Sequence, residues 1–246
     1  MSEFPFQIVG FDLDGTLVDS AGDLGNAVNH ALAMEGRRHV STDEVRHFVG
    51  AGARKMLAKA LAATGGPVEN TRLEQLHDAL LGYYEAHIAV ETRLYPGGEA
   101  MLNGLAARGV KIAVVTNKLE RFARAIFHQL GLTDRFVTVI GGDTLGPGRA
   151  KPQPDLLNLM LERCGAGRAA YVGDTTYDTR AARAAGLPCV AVSFGFNDKP
   201  IADLGAEAVI DHFDELIPAL ERLGAQRGSG TSFASTSTSS PASGAR

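Results

Sequence analysis

Tryptophan is absent from the 246-residue sequence, and cysteine is nearly absent. Cys164 and Cys189 are too few for a disulfide framework and are not spaced as metal ligands, so we expect two packed or partly exposed thiols. The seven histidines form no His-x-His or His-x-x-x-His pair. The sequence therefore gives no sign of a disulfide-rich domain or of a zinc site with closely spaced ligands.

Long runs of lysine or arginine are also lacking. The formal net charge is −4 and the pI is near 6.0, which argues against nucleic acid or an anionic membrane as the main partner. No stretch approaches the length of a membrane span, and residues 1–7 lack the basic and apolar regions of a signal peptide. We therefore expect a cytoplasmic globular protein, and its 45% hydrophobic content is enough for a sizeable core.

Residues 20–92 show helical periodicity and almost no strand pattern. Ser41 and Glu44 form a capping box for one short helix, and an apolar stripe predicts another helix over about 53–63. Two further helices carry the apolar stripes Leu24, Val28, Ala31 and Leu32, and Leu73, Leu76, Leu80, Tyr84 and Ile88. Four amphipathic helices suffice for a small bundle with its own core. The sequence therefore predicts an inserted all-helical domain.

The rest of the chain alternates apolar runs with helical segments. The predicted strands cover residues 7–11, 110–115, 137–140, 169–172, 189–192 and 208–210. Continuous apolar strands separated by helices are typical of a parallel sheet that is covered on both faces. The sequence therefore predicts an α/β fold with a Rossmann-like core and a helical cap.

These patterns also predict the domain boundaries. Residues 1–18 and 94–224 form the core, and residues 19–93 form the cap. The segment 225–246 is dominated by Ser, Thr, Gly and Ala and has one aromatic residue, Phe233. It has too few apolar groups to order itself, so we expect a disordered tail.

Polar side chains follow three of the predicted strands, those at 7–11, 110–115 and 169–172, and one more polar group comes before the last of these three. They are Asp12 and Asp14, then Thr116, Asn117 and Lys118, then Lys151 in Lys-Pro-Gln-Pro, and finally Asp174 and Asp178. In an open parallel sheet, ligands bind beyond the carboxyl ends of the strands, so we expect these groups to converge on one crevice.

Each of these groups alone has an ordinary explanation. Thr116 and Asn117 can cap the next helix, Lys151 can be a solvated side chain, and Asp174 and Asp178 can be acids of a helix N-terminus. Their joint occurrence, each at or beside a strand end, favours a shared site over four unrelated features.

The chemistry that needs this set is phosphoryl transfer through an aspartyl phosphate. A carboxylate can attack phosphorus only where the phosphate charge is neutralised, because two anions repel at close range. Mg²⁺ would be bound by Asp12, the backbone carbonyl of Asp14 and Asp174, with Lys151 as the second cation. The remaining roles predicted here are phosphate binding by Thr116 and Asn117, and orientation of metal waters or of Lys151 by Asp178.

Four segments resemble the motifs of the haloacid dehalogenase superfamily, and the resemblance extends from residue 7 to about 224. The segments are Asp-Leu-Asp-Gly-Thr-Leu-Val-Asp-Ser, Val-Val-Thr-Asn-Lys, Lys-Pro-Gln-Pro-Asp and Tyr-Val-Gly-Asp-Thr-Thr-Tyr-Asp. The resemblance implies that Asp12 is the nucleophile and Asp14 the acid and base. Having aspartate at both positions resembles the pattern of the phosphatases and phosphomutases of this superfamily. The haloalkanoic acid dehalogenases lack the second aspartate, so the resemblance disfavours that activity.

The predicted cap resembles that of the subfamily that includes phosphoglycolate phosphatases. The similarity lies in residues 48–52, 95–97, 139–143 and 193–196. It implies a small phosphate ester as substrate, most closely 2-phosphoglycolate. The flexibility of Gly50 and Gly52 would let cap backbone approach such a substrate, although a simple turn explains them equally well. Arg54 can bind a substrate carboxylate, or it can be an ordinary surface arginine.

Several alternatives stay open. Leu119 stands where phosphoglycolate phosphatases often have proline, and the Gly-Ala-Arg segment at 52–54 and Thr116-Asn117-Lys118 also look like N-acetylmuramic acid 6-phosphate phosphatases. Another sugar-phosphate phosphatase, a phosphomutase, or a phosphonatase using Lys55 or Lys59 would share the fold. A phospho-receiver is disfavoured, because it places its acid pair before the phosphorylated aspartate and has no helical insert, and the intact motif residues disfavour an idle binding module. Both a monomer and a homodimer are compatible with the sequence.

Overall fold

The computed structural model describes residues 4–228. Residues 225–228, which the sequence assigns to the tail, continue the last helix instead. This helix begins at Leu216 and ends at Gly228. The remainder of the predicted tail, residues 229–246, lies outside the described residues.

The core is a six-stranded parallel sheet. Its strands are β1 (Ile8–Phe11), β4 (Lys111–Val115), β5 (Thr138–Ile140), β6 (Ala169–Gly173), β7 (Cys189–Val192) and β8 (Ala208–Ile210), and two short strands outside the sheet are β2 (Val18–Asp19) and β3 (Arg93–Leu94). The order across the sheet is β5-β4-β1-β6-β7-β8, and every pairing is parallel. Each predicted strand is present, and its bounds differ from the prediction by at most one residue.

Helices cover both faces of this sheet. The described residues contain α1 (Ala21–Ala33), α2 (Thr42–Arg46), α3 (Ala53–Ala63), α4 (Asn70–Ala86), α5 (Gly98–Ala106), α6 (Glu120–Gln129), α7 (Asp155–Cys164), α8 (Thr176–Ala184) and α9 (Leu216–Gly228). Along β1, Val9 and Phe11 belong to one apolar cluster and Ile8 to the cluster on the opposite face. This alternation places β1 in the middle of the core with no exposed face, which explains its continuous apolar sequence.

Helices α1 to α4 form a separate apolar cluster. The predicted capping box is present, because Ser41 Oγ accepts from the N–H of Glu44 and the Glu44 carboxylate accepts from the N–H of Ser41. The chain enters and leaves this bundle through β2 and β3, which pair antiparallel as a two-stranded ribbon. The sequence did not predict this ribbon, because two-residue strands carry no periodicity. The predicted boundaries at 18/19 and 93/94 fall within it.

The helical bundle lies against the core. Phe122 of α6 and Phe196 of the core pack into the bundle's own apolar cluster, and the rings of Tyr84 and Phe122 meet edge to face at 5.3 Å. At the other side, the Arg46 guanidinium lies 5.2 Å from the Phe196 ring centroid. These contacts hold the bundle over the carboxyl edge of the sheet. Within residues 4–228, no helix is long and apolar enough to cross a membrane.

Candidate active site

Three carboxylates meet at the carboxyl edge of the two central strands. Asp12 follows β1, and Asp174 and Asp178 follow β6, which pairs with β1 in parallel register. One carboxylate oxygen from each of the three residues lies within 4.8 Å of the others, and all three residues are buried. The structure therefore brings together the acids that the sequence places at these strand ends.

The turn after β1 is built around Asp174. The Thr16 hydroxyl donates to Asp174 Oδ1 at 2.9 Å, and the N–H of Phe196 donates to Oδ2 at 2.7 Å. Gly15 has a φ of +82°, and a Cβ at this position would collide with Asp174 Oδ2. Glycine is therefore required here both for the backbone conformation and for the close approach of the carboxylate.

Lys151 joins the cluster as its cation. Its Nζ lies 3.0 Å from Asp12 Oδ1 and 2.6 Å from Asp178 Oδ1, and it donates to the Tyr171 hydroxyl at 3.0 Å. Burial alone would lower the pKa of Lys151, but attraction to Asp12 and Asp178 outweighs it and raises that pKa above its usual range. The lysine is thus held in its charged form.

Asp178 and Tyr171 hold this lysine in position through hydrogen bonds. Asp178 Oδ2 accepts from the N–H of Thr175 at 3.0 Å and from its hydroxyl at 2.7 Å, which leaves Oδ1 for Lys151. The Tyr171 hydroxyl in turn donates to the carbonyl of Val115 at 2.6 Å. The sequence did not predict Tyr171 as a site residue, because a tyrosine within an apolar strand is typical of a core residue. Its place two residues before the Gly-Asp of the strand end was the available signal.

The charge of the cluster is not balanced by the protein. Burial raises the pKa of Asp12 to about 6, with Lys151 opposing the rise and Asp178 adding to it. Burial, with the charges of Asp178 and Asp12, raises the pKa of Asp174 well above its usual value. With all three acids ionised, one lysine leaves two negative charges uncompensated. Buried carboxylate oxygens with this excess charge fit a hard divalent cation such as Mg²⁺.

Thr116 and Asn117 follow β4 and line the same cavity. Thr116 Oγ1 accepts from the N–H of Lys118 at 3.2 Å, an interaction that does not use the hydroxyl's own proton. The Asn117 amide donates to the carbonyl of Gly50 at 3.0 Å and to that of Lys151 at 3.1 Å. The sequence predicts this amide to bind phosphate, whereas in the structure it joins the helical bundle to the core.

Asp14 lies apart from the three clustered acids. Lys118 Nζ donates to both of its carboxylate oxygens at 2.9 Å, and the Ser20 hydroxyl donates to Oδ1 at 2.6 Å. Lys118 belongs to the strand-end motif, but the sequence indicates no role for it. The ion pair spans 104 residues, so only the position of Lys118 just after a strand end could have indicated it.

A cavity of about 930 Å³ lies between the core and the helical bundle, and the core residues that line it include Asp12, Asp14, Thr116, Asn117, Lys118 and Lys151. The predicted cap residues Gly50, Gly52 and Arg54 line it from the opposite side. The two glycines have φ values of +109° and +87°. Arg54 Nε forms an ion pair with Glu74 at 2.7 Å, and both side chains are about half exposed. The cavity can thus enclose a small anionic ester between a charged floor and a mixed roof.

The chain is similar to known proteins over most of its length. Residues 9–192 match the family described as haloacid dehalogenase-like hydrolase. The chain is 40% identical over 228 residues to a phosphoglycolate phosphatase of Rhodospirillum rubrum, covering 87% of this chain and 94% of that protein. It is 38% identical over 214 residues to one of Agrobacterium fabrum, covering 85% and 90%.

A similar fold is found in the crystal structure of a predicted phosphoglycolate phosphatase from Haemophilus somnus. The TM-score is 0.81 at 29% identity, over 87% of this chain and 98% of that one. The likeness therefore includes the helical bundle as well as the sheet.

Proposed function

The chain belongs to the haloacid dehalogenase-like hydrolases, and on that basis we propose that it hydrolyses 2-phosphoglycolate to glycolate and phosphate with Mg²⁺ as its cofactor. The observation that carries the proposal is the buried group of Asp12, Asp174, Asp178 and Lys151, of which Asp12 and Lys151 line the cavity. The substrate is supported by the names of the relatives, which are phosphoglycolate phosphatases.

In the first step, an oxygen of the Asp12 carboxylate attacks the phosphorus. The bond between phosphorus and the ester oxygen breaks, and its electron pair goes to that oxygen. The Asp14 carboxyl gives this oxygen a proton, so that glycolate leaves and an aspartyl phosphate remains on Asp12.

In the second step, water attacks the phosphorus of the aspartyl phosphate. The Asp14 carboxylate takes a proton from that water, and the bond between phosphorus and Asp12 breaks. Its electron pair returns to the Asp12 carboxylate, and phosphate leaves. Both aspartates are then in the state in which they began.

The other residues neutralise and orient the phosphoryl group. Lys151 brings a positive charge to within 3.0 Å of the attacking carboxylate, and the Thr116 hydroxyl acts as a phosphate donor. The Asn117 amide can join it only when it leaves the carbonyls of Gly50 and Lys151. Asp12, the backbone carbonyl of Asp14 and Asp174 would hold Mg²⁺, which when bound offsets the negative charge of the phosphoryl group. Asp178 keeps Lys151 in place.

We assign selection of the ester's remaining part to a cap domain of residues 19–93, hinged at the β2–β3 ribbon. Movement of this cap would admit substrate and, on closing, exclude water from the aspartyl phosphate. Gly50 and Gly52 let the cap backbone lie over the site, and Arg54 lines the same cavity while paired with Glu74.

A second candidate substrate is N-acetylmuramic acid 6-phosphate. The observation that favours it is the cavity of about 930 Å³, which is large for an ester as small as 2-phosphoglycolate. This sugar phosphate also carries a carboxylate.

A panel of phosphate esters tests the function. We expect purified protein with Mg²⁺ to release phosphate from 2-phosphoglycolate with a kcat/KM at least tenfold above those for N-acetylmuramic acid 6-phosphate and N-acetylglucosamine 6-phosphate. The reason is that a short ester with two anionic groups suits a site at which Lys151 and bound Mg²⁺ supply positive charge. A higher kcat/KM for the sugar acid would favour the second candidate. Transfer to a sugar without free phosphate would contradict hydrolysis altogether.

Removal of the metal is expected to abolish turnover. Excess EDTA should lower phosphate release at least 100-fold, because two uncompensated negative charges then face the incoming phosphate. Added Mg²⁺ should restore the rate and should also raise the melting temperature, since it relieves repulsion among the buried acids. EDTA already saturated with Mg²⁺ is the control. Full turnover in excess free chelator would contradict the metal assignment.

A further inference from the structure

Lys118 is a buried cation that the steps above do not use. Its side chain is 6% exposed, it lines the cavity, and its Nζ donates to both carboxylate oxygens of Asp14 at 2.9 Å. The acid and base of the proposed reaction is therefore fully engaged by a lysine in this structure. Each oxygen of Asp14 already accepts from Lys118, so the ester oxygen of a substrate must compete with this lysine for Asp14.

Tyr84, from the cap, completes this corner of the cavity. Lys118 Nζ lies 4.6 Å from its ring centroid, and both residues line the same cavity. The residue is 2% exposed, and within residues 4–228 its hydroxyl has no acceptor for its proton, because the Lys118 ammonium beside it is itself a donor. Buried hydroxyls normally have a partner, so a group that enters the cavity is expected to supply an acceptor.

We propose that Lys118 and Tyr84 form the subsite for the carboxylate of the substrate, and that binding of this carboxylate releases Asp14 from Lys118. The inference rests on the proposed function, because it names the residues that recognise the second anion of that ester. A carboxylate can accept hydrogen bonds from both an ammonium and a hydroxyl, so the Lys118 ammonium and the neighbouring Tyr84 hydroxyl together suit it.

The place of the subsite agrees with the shape of the substrate. Asp14 must reach the ester oxygen, and Lys118 is bonded directly to Asp14. In 2-phosphoglycolate, one methylene group separates the ester oxygen from the carboxylate. A cation that contacts the acid and base is therefore within reach of that carboxylate when the ester oxygen is at Asp14.

The exchange replaces one carboxylate by another on the same lysine. Lys118 keeps an anionic partner throughout, so the swap does not leave this buried cation unpaired. Esters that lack a second anion would leave Asp14 bound to Lys118. The carboxylate of the substrate therefore acts on kcat as well as on binding, which makes it a determinant of specificity in the chemical step.

Arg54 is the competing candidate from the sequence. Its side chain is about half exposed and already paired with Glu74, whereas Lys118 and Tyr84 are buried beside Asp14. A carboxylate bound at Arg54 would have no direct effect on Asp14. The two assignments thus differ in which variant loses discrimination between substrates.

The test compares 2-phosphoglycolate with 2-hydroxyethyl phosphate, in which a neutral hydroxymethyl group replaces the carboxylate. The Mg²⁺-loaded wild type, Lys118→Met, Lys118→Arg, Tyr84→Phe and Arg54→Ala are each assayed for kcat and KM on both esters. We expect the wild type to prefer 2-phosphoglycolate at least tenfold in kcat/KM. Lys118→Met should reduce this preference at least tenfold and Tyr84→Phe at least threefold. Lys118→Arg and Arg54→Ala should keep it within threefold.

Release of Asp14 has its own measurement. In Lys118→Met, kcat for 2-hydroxyethyl phosphate should rise threefold or more, because Asp14 no longer needs to be displaced. A structural lysine would instead lower both rates when it is replaced. If circular dichroism shows that the Met variant is unfolded, Lys118→Gln is used for the same two ratios.

The outcomes separate the two proposals. If the wild type shows no preference for 2-phosphoglycolate, both the proposed substrate and the subsite are wrong. If the wild type prefers it but Lys118→Met keeps that preference, or loses equally on both esters, only the subsite is wrong. Loss of the preference in Arg54→Ala instead would assign the carboxylate to Arg54.

Discussion

Asp12→Asn is expected to lower kcat/KM for phosphate release by about 10⁴-fold or more while leaving the fold intact. The amide oxygen of asparagine is a poor nucleophile, and the two acids clustered with Asp12, Asp174 and Asp178, are located after a different strand, β6. Lys151 keeps its ion pair with Asp178, so the surroundings of the site should be retained. Phosphate release and circular dichroism measure the two parts of this expectation. Activity in the variant, with phosphate attached to another residue, would contradict the assignment.

The same substitution should stabilise the protein when metal is removed. Burial raises the pKa of Asp12 from its usual 3.8 to about 6, so its ionisation works against folding by roughly 3 kcal/mol. Because the pKa is raised on folding, the stability that comes from protonated Asp12 is fully present below pH 3.8 and is lost as the pH rises through about 6. Asparagine has no such dependence.

Thermal unfolding in EDTA measures this effect. The melting temperature of Asp12→Asn should exceed that of the wild type at pH 7.5, and the difference should shrink toward pH 4.5. Asp134→Asn is the matched control, since Asp134 is exposed and its substitution should leave the melting temperature nearly unchanged at both values of pH. A variant that is less stable than the wild type at pH 7.5 would show that the contact with Lys151 outweighs the burial of Asp12.

The strands and the strand-end acids were predictable because each depends on a local pattern. A continuous apolar run that ends in Asp12, or in Asp174, indicates both a buried parallel strand and the edge at which its last side chains meet. The register of β1 against β6 then brings the two acids together. Helix α3 followed in the same way from its apolar stripe, and it has the predicted bounds, residues 53–63.

Side-chain partners across the fold were not predictable in this way. The sequence contains nothing that pairs Lys118 with Asp14 or Arg54 with Glu74, because each pair joins residues from separate elements, the first beyond the ends of β4 and β1 and the second on α3 and α4. Asn117 illustrates the same limit, since its amide binds Gly50 of the helical bundle. A strand-end motif therefore predicts which residue types lie at a site, whereas the partner and role of each residue depend on tertiary contacts.

Lys151→Met is expected to have the second large effect, on both activity and stability. The lysine side chain is 1% exposed and has two acidic partners, Asp12 and Asp178. Removing the cation from such a buried pairing costs about 3–5 kcal/mol, because the acids remain without compensation. Loss of a positive charge beside the transferring phosphoryl group should lower kcat roughly 10³-fold.

Mg²⁺ distinguishes the loss of charge from general damage to the core. Without Lys151, the three acids carry one more uncompensated negative charge, so Mg²⁺ should raise the melting temperature of the variant more than that of the wild type. Lys111→Met is the matched control. Lys111 is exposed, and in the described residues its side-chain ammonium donates only to the carbonyl of Cys164. Its melting temperature and its response to Mg²⁺ should stay close to those of the wild type. An equal response to Mg²⁺ in Lys151→Met and the wild type would mean that the lysine does not share the charge of this cluster with the metal.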